Sequence, residues 1–444
     1  MSSLPEFVDT LIHPGWIIPV VPEGDVLTGF SIALQDNKIV AIVPTEETAY
    51  ITAGESYTLA EHVVMPGLIN AHGHAAMSLL RGFADDLALT PWLEEHIWPA
   101  EAKLTGEDVY CGTLLACLEM IRSGTTAFAD MYFYMDQAAR AVEESGMRAS
   151  LSHGMIELFD EAKGDADLKE GIRFAKEWNN AADGRITTMY GPHAPNTCSR
   201  DFLNKVKEQA EADNIGMHIH VLETKAELLE MKEKYSMCSI HLLDGIGILG
   251  PSVLAAHCVW LSSGDIDILA ERGVNIVHCP VSNMKLASGI APIPELLSSG
   301  ANVALGTDGC ASNNSLDMFG EMKTAALLHK VNSTDPTALP AHQVLKMATV
   351  NGAKALKIPA GQLKPGMLAD IIIVDMQKPH LLPNHDLESH LVYAARGSDV
   401  RTTIVNGKVL MEDGIIMSMN QEKVMEQAAY AAEKLIQRVN EQSN

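Results

Sequence analysis

The sequence predicts an α/β chain built as a (β/α)8 TIM barrel, with a small composite β-sandwich assembled from both chain ends. Three observations predict it. Eight short apolar strand runs alternate with helical segments through the middle of the chain. Short β-rich runs without intervening helices are confined to the two ends. Histidines and acids gather where the central strand runs stop, which is where a barrel of this kind displays its chemistry.

Taken in order, VDTLIHPGWIIPV is a first strand run, and GFSIALQDNKIVAIVP holds two more around the turn-forming Gln35-Asp36-Asn37-Lys38. The same texture returns in LADIIIVDM and in VRTTIVNGKVLMEDG, where Asn406-Gly407 is a hairpin turn between β runs. Neither end makes a convincing domain alone, so residues 1–64 and 365–415 are expected to pair into one sandwich. Residues 65–364 are expected to form the barrel. Its strand runs are VVMPGLINAHGH, TTAFADM, RASLSHG, ITTMYGPHA, GMHIHVLE, SVLAAHC, VNIVHCP and ANVALGTDG. Stretches such as LTGEDVYCGTLLACLEMIRSG and SRDFLNKVKEQAEADN lie between them with helical periodicity. Residues 416–444 carry an amphipathic run, NQEKVMEQAAYAAEKLIQRVNE, expected to pack outside the barrel as a terminal helix.

Composition narrows the function classes. The 444 residues include 32 Lys plus Arg against 57 Asp plus Glu, a formal net charge of −25. An acidic surface repels phosphate backbones, so nucleic acid and anionic membranes are poor partners and a small molecule is the natural one. The seven cysteines are odd in number, irregularly spaced and lack C-x-x-C, which argues against disulfides and cysteine zinc knuckles and for a reducing compartment. The N-terminal stretch carries acids where a signal peptide needs a basic region. No stretch reaches the apolar length of a membrane helix, and a cytoplasmic location is expected.

His72 and His74 follow the apolar run VVMPGLIN with one residue between them. Alternate strand residues face the same way, so both imidazoles can point into one barrel mouth. H-x-H alone is a weak signal. Other strand ends strengthen it: His218 and His220 with Glu223 after them, then His257, His278 and Asp308. Such a set suits Zn2+, with iron or another divalent ion also accommodated, and an open position would hold a water acidified by the metal. Of His218 and His220 only one is expected to ligate, and His278 reads as a buried histidine bonded to backbone. His153 and His193 also end strand runs, and they are expected to meet substrate or shape the pocket.

The segments PGLINAHGHAAMSLLRG, HVLET, AAHCVWLS, HCPVSNMKLASG and LGTDGCASNNSLDMF resemble, in order and spacing, the amidohydrolase superfamily, and most nearly its methylthioadenosine/S-adenosylhomocysteine deaminases. The resemblance spans essentially the whole chain. It implies that His72, His74, His220 and Asp308 bind one metal, usually zinc. It further implies that Glu223 shuttles a proton from the water side to a ring nitrogen, that His257 orients the attacking oxygen, and that Asp308 also carries a proton to the departing amine. The chemistry needs these groups because ammonia leaves poorly until protonated and the purine must give up aromaticity to accept a nucleophile. LTPWLEEHIWPAEAKLT resembles the family's substrate-covering loop, with Trp92 packing on the ligand and Glu101 accepting from the ribose hydroxyls. His193 would contact the nucleoside from strand four.

One departure bears on the substrate. Related enzymes acting on S-adenosylhomocysteine carry an arginine at the end of strand three, where this chain has His153. A histidine does not supply arginine's fixed, always-charged fork, so the expected reaction is deamination of a 6-aminopurine nucleoside, with 5′-methylthioadenosine favoured and adenosine or S-adenosylhomocysteine as the alternatives. A guanine deaminase or triazine hydrolase would share the metal ligands but has no use for Trp92 and Glu101 around a ribose. A dinuclear amide hydrolase would want a lysine at the end of strand four, and TTMYGPHAPNT has none. A non-catalytic metal protein would not need Glu223 and His257 beside a closed site. Large barrels of this type commonly associate, so a homo-oligomer is compatible with the sequence.

Overall fold

A computed structural model describes residues 6–87 and 91–441. Residues 1–5 of the expected sandwich, 89–90 of the expected covering segment and 442–444 of the terminal run lie outside the described residues. The chain forms two compact units.

The first unit comprises Met1–Ile69, Glu119–Ala127 and Asp317–Asn420. Its strands form one mixed eight-stranded sheet. The two chain ends meet where Ile371–Asp375 runs antiparallel to Thr52–Pro66, with Ile371 opposite Pro66 and Ile373 opposite Val64. Thr52–Pro66 in turn lies parallel to Phe7–Ile17. Period-2 alternation puts Ile12, Ile32, Ile39, Val64, Ile371, Ile373 and Ile404 into one buried cluster, so strands from both ends share a core that neither end could fill alone. The expected hairpin turns are present. Asn406 and Gly407 both have positive φ (53° and 76°), as a tight turn of this type requires. Its partner turn has Asp36 at φ 53°, and Asn37 Nδ2 donates to Asn406 Oδ1 at 3.2 Å.

The second sheet also has eight strands, ordered as they occur in sequence: Leu68–Asn70, Thr125–Tyr132, Arg148–Met155, Ile186–Pro192, Gly216–Val221, Val253–His257, Asn275–His278 and Asn302–Leu305. These are the eight predicted barrel strands, and they run parallel. The ends of the sheet join through backbone bonds, Ala71 N–H to Leu305 O at 2.9 Å and Asp308 N–H to His72 O at 3.0 Å. The strands are buried on both faces, as a sheet enclosed by helices demands. Local chemistry starts the helices: Ser199 and Thr224 accept from backbone N–H groups at their N-caps, and Ser262 with Asp265 forms a capping box. The terminal helix Gln421–Asn440 is amphipathic as expected. Its Ala428 and Ala431 pack against Leu79 and Cys111, and Arg438 pairs with Asp108. Among the described residues, no helix is long and apolar enough to cross a membrane.

Candidate active site

Four side chains converge at the C-terminal ends of the barrel strands. His72 Nε2 lies 3.4 Å and His74 Nε2 3.2 Å from Asp308 Oδ1, and His220 Nε2 lies 3.4 Å from His74 Nε2. Atoms about 2.1 Å from a common centre in a tetrahedral arrangement would be about 3.4 Å apart, so these separations are those of ligands around one ion.

What holds each ring decides whether it can ligate. His74 Nδ1 faces Met131 O at 2.6 Å and His220 Nδ1 faces His193 O at 2.8 Å. A carbonyl only accepts, so both Nδ1 atoms carry the proton and both Nε2 lone pairs turn to the centre. His72 Nδ1 is fixed by His218 Nε2 at 2.7 Å. The buried Nε2 of His72 has no hydrogen-bond partner, an arrangement that a metal would complete. Asp308 completes the set: its Oδ2 accepts from Ser282 Oγ (2.6 Å) and Ser312 Oγ (2.9 Å), leaving Oδ1 for the centre. Burial opposes ionisation of Asp308, but the adjacent His72 and His74 imidazoles hold its carboxyl well below the ordinary range. Three imidazoles and a carboxylate therefore fit a divalent ion.

Two further groups stand beside this centre. His257 Nδ1 meets Asn283 Nδ2 at 3.0 Å, and its Nε2 lies 3.8 Å from Glu223 Oε2. Glu223 Oε1 accepts from Ser288 Oγ at 3.2 Å, and burial pushes its carboxyl upward. Buried Glu227 accepts from the backbone N–H groups of Leu222 (2.9 Å) and Glu223 (3.0 Å), fixing the turn that presents Glu223. Leu222, His257 and Asp308 all have positive φ (49°, 72° and 63°), a conformation costing about 1–3 kcal/mol for such residues. Strain of that size gathers where geometry serves function rather than stability.

A cavity opens over the centre. His74, His193, His220, Glu223, His257 and Asp308 line it, as do Trp92 and Glu101 from the segment after strand one. Trp92 begins a π-helical turn, Trp92–Ile97, that runs into Trp98–Glu101. Burial pushes Glu101 up to about 7. His193 sets Nδ1 2.9 Å from Thr197 Oγ1, and burial lowers its ring to about 4, so it is neutral at neutral pH. Met77, Leu93, Trp98, Phe133, Ile156 and Leu286 supply apolar wall, and none of the described lining residues is lysine or arginine.

His153 requires a correction. It does not line the cavity; its neighbour Gly154 does. Along strand Arg148–Met155 the side chains alternate, and His153 lies instead in the electrostatic field of Asp136, Asp167, Glu170 and Arg173, all four on the helices Met135–Ser145 and Glu161–Trp178. Its identity therefore says nothing about a carboxylate in the pocket. Sequence alone does not single out Ser282, Asn283, Ser288, Ser312 and Glu227, which brace the site, nor the place of His218 behind His72. All but Glu227 sit in segments already marked by chemistry, yet polar residues there cannot be assigned partners without the fold.

Comparison with known proteins identifies the family. Residues 63–410 match the amidohydrolase family. A 5′-deoxyadenosine deaminase of Methanosarcina barkeri is 64% identical over 97% of this chain and 99% of its own length. A 5-methylthioadenosine/S-adenosylhomocysteine deaminase of Pelotomaculum thermopropionicum is 52% identical over 94% of this chain and 96% of its own. The crystal structure of a zinc-bound adenosine deaminase from Xanthomonas campestris superposes with a TM-score of 0.93 at 35% identity, covering 98% of this chain and all of that one. The family match and these full-length similarities establish that the chain belongs to the amidohydrolase family as a metal-dependent aminohydrolase.

Proposed function

We propose that this enzyme deaminates adenosine-type nucleosides, using zinc, and prefers those whose 5′ end is small and uncharged, such as 5′-deoxyadenosine and 5′-methylthioadenosine. The observation that carries the substrate preference is the cavity lining, which beyond the histidines and acids of the centre is largely apolar and holds no lysine or arginine among its described residues. The relatives named above for 5′-deoxyadenosine and for methylthioadenosine/S-adenosylhomocysteine support the adenosine-type class.

His72, His74, His220 and Asp308 would hold the metal, which when bound acidifies water so that it can attack near neutral pH. In the balanced reaction, water adds at the purine carbon bearing the amine, the carbon–nitrogen bond breaks, and ammonia leaves with the hydroxypurine nucleoside as product. Glu223 takes a proton from the water side and delivers it to the adjacent ring nitrogen, so that negative charge does not build up on the ring. Its upward shift suits a group that must give the proton back. His257, steadied by Asn283, orients the attacking oxygen. Asp308 passes a proton to the departing amine, with Ser282 and Ser312 keeping its second oxygen engaged throughout. Glu101 accepts from the ribose diol, while Trp92 and His193 bound the nucleoside.

Burying a carboxylate with no cation beside it costs several kcal/mol. S-adenosylhomocysteine should therefore be the poorer substrate, by about 100-fold or more in kcat/KM. Initial rates followed by ultraviolet absorbance for adenosine, 5′-deoxyadenosine, 5′-methylthioadenosine, S-adenosylhomocysteine, guanine and melamine test both layers. Equal kcat/KM for S-adenosylhomocysteine and 5′-deoxyadenosine would overturn the preference. Absence of turnover with every aminopurine nucleoside would overturn the function.

A further inference from the structure

A second cluster of metal-ligating side chains lies apart from the active site. Cys238 caps the short helix Ser239–Gly245, and its thiol is not used as a cap. His241 stands one turn along the same helix, and Asp265 belongs to the helix Ser263–Arg272. Cys238 Sγ lies 2.9 Å from His241 Nδ1 and 3.2 Å from Asp265 Oδ1, and that nitrogen and oxygen are 3.3 Å apart. Cys238 and Asp265 are buried while His241 is half exposed.

Neither of two simpler arrangements accounts for this geometry. A nucleophilic Cys-His-Asp relay needs the thiol and the carboxylate on opposite ring nitrogens, as in any triad. Here both fall on Nδ1, so the three groups converge on one point and do not form a chain. An ordinary hydrogen-bonded knot is the other reading. Yet the sulfur–nitrogen distance lies inside the range normal for the smaller oxygen acceptor, about 2.7–3.2 Å. Asp265 is also prepared in the manner of Asp308. Its Oδ2 accepts from Ser262 N–H (2.8 Å) and Ser262 Oγ (2.6 Å), and Oδ1 is left for the cluster.

The triangle of donor atoms has a circumradius of about 1.8 Å, shorter than a metal bond of about 2.1 Å, so an ion about 1 Å out of its plane reaches all three. A groove bordered by Lys232, Met237, Trp260 and Ser262 lies against the cluster and leaves a fourth position for water.

We propose that Cys238, His241 and Asp265 form a second metal site, for a thiophilic divalent cation of the zinc type, distinct from the active-site centre. Binding releases the thiol proton to solvent, because only the thiolate ligates. The site has its own spectroscopic reporter, since none of the four active-site donors is a cysteine. Adding Co2+ to the holoenzyme should produce a near-ultraviolet thiolate-to-cobalt charge-transfer band and raise the bound metal from one ion per chain to two. Cys238→Ser should abolish the band and the second ion while keeping the first ion and deaminase turnover. The exposed His241→Ala, which leaves the buried groups intact, should weaken cobalt binding at this site about 10-fold or more. A wild-type enzyme that shows no such band at saturating Co2+ overturns the proposal. So does a band of full intensity in Cys238→Ser, or unchanged cobalt affinity in His241→Ala.

Discussion

Replacing Glu223 by Gln removes one exchangeable proton and little else. The amide oxygen can still accept from Ser288 Oγ, and the backbone N–H of residue 223 remains tied to Glu227. No atom of Glu223 is among the four converging donors, which belong to His72, His74, His220 and Asp308 and are the proposed metal ligands. Metal content should therefore stay at the wild-type level. General acid–base catalysis by one positioned group contributes about 10²–10⁴ in rate, which is about 2.7–5.5 kcal/mol of barrier at about 1.36 kcal/mol per decade. The expected result is a fall in kcat of that size with KM changed only slightly, measured by ultraviolet absorbance on metal-assayed protein. A pH profile sharpens the test. Burial raises the Glu223 carboxyl, and the group must be ionised to take the first proton, so activity is lost as pH falls through that raised value. The acid limb of the wild-type profile should sit above the ordinary glutamate value of about 4.3, and Glu223→Gln should lack it. A variant within 10-fold of wild-type kcat, or one that has lost its metal, would refute the assigned role.

Three further outcomes follow from the surrounding geometry. His218→Ala removes the group that fixes His72 Nδ1, and metal affinity should fall about 10–100-fold in a chelator competition; an unchanged affinity would mean that His72 is oriented by something else. Glu227→Ala strips the acceptor from two backbone N–H groups and from Ser239 Oγ. Each orphan costs about 1–3 kcal/mol, so thermal unfolding should shift down by several degrees and kcat should fall with the displaced Glu223, whereas a wild-type Tm refutes it. Glu101 has its carboxyl raised to about 7, and its ionised form is the better acceptor for a diol. KM for adenosine should therefore improve as pH rises through about 7, and Glu101→Gln should raise KM and flatten that dependence, with 2′-deoxyadenosine less affected. Identical KM–pH curves for the two proteins would remove Glu101 from the ribose site.

The barrel was legible because each strand run is apolar throughout and bounded by helix signals that act locally. Ser199, Thr224 and Ser262 cap helices by their own hydroxyls, so those starts can be read from a few residues. The sheet of the first unit was legible only as two halves. Pairing Ile373 with Val64 joins residues more than three hundred positions apart, and nothing local in either strand names its partner. Its edge hairpins were plain because Asn406-Gly407 needs positive φ at both positions, a demand written in the residue types themselves.

At the site, what could be read from spacing was which residues end strands, and what could not was which way they face. His72 and His74 differ by two and share a face, and so do His218 and His220. Yet the second pair serves unequally: His220 turns Nε2 to the centre, while His218 stands behind His72 and steadies it. Position along the barrel axis, set by where each strand stops, separates the two roles. His153 shows the same rule from the other side. It is one residue from Gly154, which lines the cavity, and that single step of parity turns an expected substrate contact into a partner of acids and an arginine outside the barrel. The proposed preference against a carboxylate therefore rests on the described cavity lining, which holds no lysine or arginine, and not on one position that might have held an arginine. A fixed positive charge could have come from any strand end around the rim, so the whole lining bears on the substrate more than any single residue of it.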